Sequence, residues 1–81
     1  VEVRYSKSAR LALRRSHKWK LIKDKIDAFA AQPDLSHPNV TRLKGMDEYR
    51  MRVQDWRVIF MIEDDVLVIR DIGPRGSIYD G

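Results

Sequence analysis

The 81-residue chain contains no cysteine, which excludes a disulfide framework and any cysteine-ligated zinc centre and fits a reducing compartment. Glycine and proline are sparse, at four and three residues. No low-complexity linker and no phosphate-cradling glycine loop can be drawn from them, so no cofactor is expected. Histidine is nearly missing. His17 and His37 stand apart with no cysteine partners and read as surface residues rather than metal ligands. The acidic run Glu63-Asp64-Asp65 lacks the spacing of a cation loop and reads as a solvated turn, so no metal is expected either. No apolar run approaches the roughly 20 residues of a membrane span. The opening Val1-Glu2-Val3-Arg4-Tyr5 reads as a strand, not a signal peptide. A soluble, cytoplasmic protein with no membrane partner is the expectation.

What is present is an ordinary apolar share of 43%, enough for one small domain over residues 1–81 with a marginal core. The net charge of +4 is unevenly placed: residues 1–39 hold nine Lys/Arg against four Asp/Glu, and residues 40–81 hold seven against eight. The N-terminal excess falls on a helical stretch, where a solvated face is the default reading. The few basic residues of the second half share one predicted face and suit an RNA or phosphate partner better than a lipid surface.

Two periods divide the chain. After a first strand at 1–5, Ser6 is a fitting N-cap for a helix from Lys7 to about Arg15 with a narrow stripe of Ala9, Ala12 and Leu13. A second helix from about His17 to Ala31 carries Trp19, Ile22, Ile26 and Phe29 at helical spacing, read as core. Pro33 and Pro38 bound an irregular loop. From Asn39 the period becomes two. Val40 to Leu43 leads to a turn at Lys44-Gly45, and strands follow at about 48–53, 56–62 and 66–72, separated by turns at Gln54-Asp55 and Glu63-Asp64-Asp65. The last two strands are apolar on both faces, as the middle of a sheet requires. The fold class is α+β, in the order β-α-α-β-β-β: an N-terminal strand and a two-helix hairpin packed on one face of a small antiparallel sheet.

The other face carries the informative pattern. In Tyr49-Arg50-Met51-Arg52-Val53 the arginines alternate with apolar residues. If Val53 pairs with Trp56 across the Gln54-Asp55 turn, Arg52 faces Arg57 and Arg50 faces Ile59. Like charges opposite each other destabilise a strand pair by up to roughly 1 kcal/mol. A polyanion bound there would account for them.

Leu43-Lys44-Gly45, Tyr49-Arg50-Met51-Arg52, Trp56-Arg57-Val58-Ile59-Phe60 and Asp71-Ile72-Gly73-Pro74-Arg75-Gly76-Ser77-Ile78-Tyr79 together resemble the RelE toxins of the RelE/ParE superfamily, over nearly the whole chain. The resemblance implies a ribosome-dependent endoribonuclease that enters the A site and cuts the exposed mRNA codon, held inactive by an antitoxin encoded beside it. It assigns the activity to positions matching Arg50, Arg52, Arg57, Arg75 and Tyr79. The first two are often lysine in relatives. Arginine keeps its proton and cannot act as a general base, so Arg50 and Arg52 suit mRNA phosphates and substrate alignment. Arg57 suits the transition-state phosphate. Arg75 would bind the phosphate or help the departing oxygen. The Tyr79 phenol, near pKa 10 when free, would take the 2′-proton or stack on a base.

Plainer readings exist for each. Arg50 and Arg52 taken alone are solvent-facing strand residues, and a three-residue turn at Glu63-Asp64-Asp65 would set Arg57 opposite Asp71 as a structural ion pair. Arg75 would be a surface turn residue, and Tyr79 would pack the chain end. Two other functions fit the same fold: a ParE-like gyrase poison, whose relatives generally lack this basic and tyrosine set, and a non-catalytic RNA-binding or antitoxin-docking module.

Overall fold

The computed structural model describes residues 1–43, 45 and 47–76. In chain order its elements are β1 (Glu2–Tyr5), α1 (Lys7–Arg15), α2 (Trp19–Ala31), β2 (Val40–Arg42), β3 (Tyr49–Val53), β4 (Trp56–Glu63) and β5 (Val66–Pro74). The expected order is present with one further strand, β2. The five strands lie in the order β1-β5-β4-β3-β2, so β4 and β5, apolar on both faces, are internal. One pair departs from the expected antiparallel sheet. β1 runs parallel to β5, because the helical hairpin carries the chain back before the sheet resumes, and the sheet is therefore mixed.

Ser6 begins α1 and anchors it. Its Oγ accepts from the Ala9 N–H at 3.0 Å, satisfying one of the orphan donors of the first turn. The same hydroxyl donates to the Arg70 carbonyl at 2.7 Å, and the Ser6 N–H donates to Ile69 O at 2.8 Å. Arg14 and Arg15 fill the last turn, where positive charge favours the helix dipole. Ser16 then closes α1 through its N–H to Leu13 O and accepts the Lys18 N–H on its Oγ, reversing the chain into α2.

The periodicity of α2 buries Ile22, Ile26, Phe29 and Ala30. They meet Met51, Val53, Val58, Phe60, Leu67, Ile69 and Ile72 from the sheet, with Ala9 from α1. Phe60 sits at the centre, its ring 5.1 Å from Phe29 and 5.5 Å from Tyr49. Trp19 is a correction to the predicted core. It is half-exposed, beside Leu13 and Arg14 on the outside of the helix pair, since helical spacing marks a stripe without marking where the packing beneath it stops.

The turns also depart from expectation in one place. Asp64 and Asp65 both have positive φ, 50° and 63°, forming a two-residue primed turn with Glu63 paired to Val66. A bulge follows: Phe60 faces Ile69 but Ile59 faces Asp71, so Arg70 is the extra residue. Turn and bulge together place Arg57 opposite Gly73, not Asp71.

Candidate functional site

The β3–β4 hairpin has the predicted register: Val53 faces Trp56, Arg52 faces Arg57 and Arg50 faces Ile59. Gln54 takes positive φ, 53°, which lets two residues close the hairpin. Met51 and Val53 then point to the helices, and Arg50, Arg52 and Arg57 share the opposite face. β2 extends that face. Thr41 pairs with Arg50, and the Arg52 N–H donates to Asn39 O at 2.8 Å, placing Asn39 beside Arg52. The face thus reads in rows, Thr41-Arg50-Ile59-Asp71 and, nearer the hairpin turn, Asn39-Arg52-Arg57-Gly73. Ile59 is fully buried although it lies on the face away from the helices.

Arg50, Arg52 and Arg57 line one hollow of about 140 Å³, whose remaining wall is Pro38, Asn39 and Thr41. Their environments differ. Arg52 is exposed and its Nη2 donates to Asn39 Oδ1 at 3.3 Å. Arg50 is half-buried. Arg57 is only 7% exposed, and its Nη1 donates to the carbonyls of Gln54 at 3.0 Å and Trp56 at 3.1 Å. The opposed cations Arg52 and Arg57 are therefore turned to different acceptors, which lessens their repulsion. Gly73, the residue facing Arg57 on β5, carries no side chain.

Arg75 follows the end of β5 and is exposed. Its N–H donates to Asp55 O at 2.7 Å, fixing the Gly73-Pro74-Arg75 segment against the hairpin turn at the same end of the sheet as Arg52 and Arg57. Gly76, at φ 86°, occupies a left-handed conformation that any residue with a Cβ would strain. Tyr79 lies outside the described residues. The structure brings together Arg50, Arg52 and Arg57 and sets the Arg75 backbone nearby.

Sequence reasoning missed the wall of the hollow. A chain of turns builds it: Ser36 N–H and Oγ donate to Asp34 Oδ1, and the Asn39 N–H donates to His37 Nδ1 at 3.0 Å. The Pro-bounded polar loop was the available signal. Also unread was the pair of Glu48 with the bulged Arg70, Nη1 to Oε2 at 3.2 Å, with Glu48 buried. Nothing in local spacing announces that bulge.

Chemically, guanidinium groups converging on one hollow can hold phosphate oxygens through paired charge-assisted hydrogen bonds. Among the described residues no helix is long and apolar enough to cross a membrane.

The fold has close parallels among solved structures. In the RelE–RelB complex of Pyrococcus horikoshii OT3, the matching chain is 28% identical, with a TM-score of 0.78 over 94% of this chain and 96% of that one. In the RelB–RelE antitoxin–toxin complex of Methanococcus jannaschii, identity is 26% and the TM-score 0.75 over 95% of each chain. The intact RelBE complex of E. coli matches in fold, at 20% identity and TM-score 0.74 over 90% of this chain and 94% of that one. A sequence comparison with curated proteins returned no match. The sequence model of the family described as "ParE toxin of type II toxin-antitoxin system, parDE" matches residues 3–79. With nearly its whole length inside that model and its fold shared with RelE chains, the protein belongs to the RelE/ParE superfamily of type II toxin–antitoxin toxins.

Proposed function

We propose that this protein, acting as one domain in the cytoplasm, is an mRNA endoribonuclease that cuts codons in the ribosomal A site and is neutralised by a cognate antitoxin. The observation that carries this reading is the hollow lined by Arg50, Arg52 and Arg57. The antitoxin assignment draws on the RelB–RelE and RelE–RelB complexes, whose toxin chains this one matches.

In the proposed reaction the substrate's 2′-oxygen attacks the adjacent phosphorus, the bond to the 5′-oxygen breaks, and a 2′,3′-cyclic phosphate remains. The 2′-proton must leave and the 5′-oxygen must gain one. Arg50 and Arg52 hold and align the mRNA phosphates. Arg57 offsets charge growing on the phosphoryl oxygens and, through Gln54 O and Trp56 O, fixes the turn that carries the site. Arg75 binds phosphate or stabilises the departing oxygen, and Tyr79 takes the 2′-proton. No arginine can serve as the base.

A ParE-like gyrase poison is the second reading, favoured by the wording of the matching family description. Primer extension on mRNA from translating ribosomes separates the two. Cuts at codon positions, reduced about 10²-fold or more in Arg50→Ala/Arg52→Ala, support the nuclease. Gyrase-dependent DNA breaks with intact mRNA support the poison. Binding of RNA with neither outcome leaves a non-catalytic module. Tyr79→Phe keeps the ring and removes the hydroxyl, so full activity in that variant removes the proton-transfer role.

A further inference from the structure

A second, larger cavity of about 450 Å³ lies on the other side of the Asn39–Arg52 ridge, between the C-terminal half of α2, the 32–39 loop and the end of β3. Phe29, Val40, Met51 and Val53 give it an apolar floor, and Asn39 and Arg52 line both this cavity and the arginine hollow. We propose that it is a nucleobase pocket, receiving the base of a nucleotide next to the phosphate held by the arginines. The inference rests on the phosphate reading of those arginines and adds the part of the substrate that gives sequence preference.

Four features favour a base over other occupants. The volume falls in the range of small-molecule sites, which are apolar with a few placed polar groups. Single-stranded RNA is read by splaying bases out onto apolar and aromatic surfaces and by hydrogen-bonding their edges. The rim supplies both halves of such an edge code: Asn39, Gln32 and Gln54 carry amides that donate and accept, and the Asp34 carboxylate accepts. Lys25 and Arg52 on the same rim favour an anionic strand over an acidic-poor apolar peptide. Continuity completes the argument. A strand with one phosphate over Arg50 and Arg52 reaches the cavity by passing round the edge of the sheet at Asn39, which borders both spaces.

The rim is also ordered before any ligand arrives. Asp34 holds the loop through Ser36 N–H and Oγ, and these bonds keep its carboxyl below the ordinary carboxylate range. The His37 carbonyl accepts the Val40 N–H at 2.9 Å, tying the loop to β2. A pre-formed wall lowers the ordering cost of binding.

The test is an NMR titration of the isolated protein with AMP, GMP, CMP and UMP, against ribose 5-phosphate and inorganic phosphate. At least one nucleotide is expected to shift the amides of Ala28, Phe29 and Val40 together with those of Arg50 to Arg57. The two controls should shift the arginine strands alone. Ala28→Trp fills the cavity from an exposed helix position. It should weaken that nucleotide about tenfold or more, the loss of one stacked base, while leaving ribose 5-phosphate binding and the melting temperature unchanged. Nucleotide shifts no different from those of ribose 5-phosphate, with the cavity silent, would overturn the pocket. So would unchanged nucleotide binding in Ala28→Trp accompanied by loss of binding to the co-expressed antitoxin, which assigns the cavity to that protein. Silence of the arginine strands toward every probe is a different result: it removes the phosphate reading itself.

Discussion

Arg57 carries two jobs that a single substitution separates. Its guanidinium is nearly buried, and Nη1 serves the carbonyls of Gln54 and Trp56 while the side chain lines the arginine hollow. Arg57→Ala is expected to lose about 1–3 kcal/mol of stability, the cost of leaving buried acceptors unpaired, and about 10²- to 10³-fold in the cleavage step. Arg57→Lys keeps the charge and one donor group without the planar fork, so it should recover part of the stability and little of the cleavage. Thermal melts beside single-turnover cleavage on programmed ribosomes check both; cleavage restored fully by lysine would reduce Arg57 to a point charge. Tyr5 offers a second residue-level test. Its hydroxyl is buried without a hydrogen-bond partner among the described residues. Burial, reinforced by the Asp27 carboxylate and opposed by Lys23, holds its pKa above the ordinary 10.0. Below about pH 10 the phenol is neutral in both folded and unfolded chains and contributes no pH dependence. Above it the unfolded chain ionises first, so stability falls as pH rises through the folded pKa. Tyr5→Phe should be neutral or slightly stabilising at about pH 7 and lose less stability than the parent near about pH 11, as read by urea unfolding at the two values. Equal alkaline losses in parent and variant would show that the Tyr5 proton plays no part.

The elements were legible to different degrees, for physical reasons. The α1 start at Ser6 and the β3–β4 register depend on a cap and a two-residue turn, signals confined to a few neighbouring residues, and both were read from sequence. The register of β4 with β5 depends on a bulge at Ile59/Phe60 that no local pattern encodes, so the Arg57–Asp71 opposition failed and Gly73 took that place. The parallel β1 was invisible as such because its partner lies more than sixty residues away, Glu2 with Val66. Short β2, three residues long, looked like the lead into a turn. The Asp64-Asp65 turn yields a prediction at this scale. Both residues sit at positive φ, a conformation aspartate tolerates and the Asn-Gly pair prefers in primed turns. Asp64→Asn/Asp65→Gly should therefore raise stability by about 0.5–1 kcal/mol, measured by chemical denaturation, with cleavage unchanged because the turn stands at the opposite end of β4 from Arg57. A loss of stability would mean that the two carboxylates hold something the turn needs.

At the scale of the whole molecule, one small core supports both the fold and the site. The molecule's extents are only 29 × 27 × 22 Å, and a domain of 81 residues has a net stability of roughly 4–12 kcal/mol at about 0.05–0.15 kcal/mol per residue. The sequence showed which strands would be central, because Val58 to Ile62 and Val66 to Ile69 are apolar on both faces. It did not show how far the core extends along the helices, which is why Trp19 was misplaced. These two facts give contrasting expectations. Phe60 is fully buried between the rings of Phe29 and Tyr49, so Phe60→Ala should cost about 3–5 kcal/mol. At about 4–8 °C per kcal/mol for a domain of this size, the melting temperature should fall by at least about 12 °C. Trp19 is 50% exposed and borders the core only from outside the helix pair, so Trp19→Ala should lower it by no more than about 8 °C, the effect of under about 1 kcal/mol. Native-state hydrogen exchange should agree, with the slowest amides at Val58 to Phe60 and Leu67 to Ile69 in the internal strands β4 and β5 and faster exchange in the edge strands β1 and β2. Differential scanning calorimetry of the two variants decides the point. A Trp19→Ala loss equal to that of Phe60→Ala would place the α1–α2 junction inside the cooperative core, and the protection pattern would then have to extend through both helices as well.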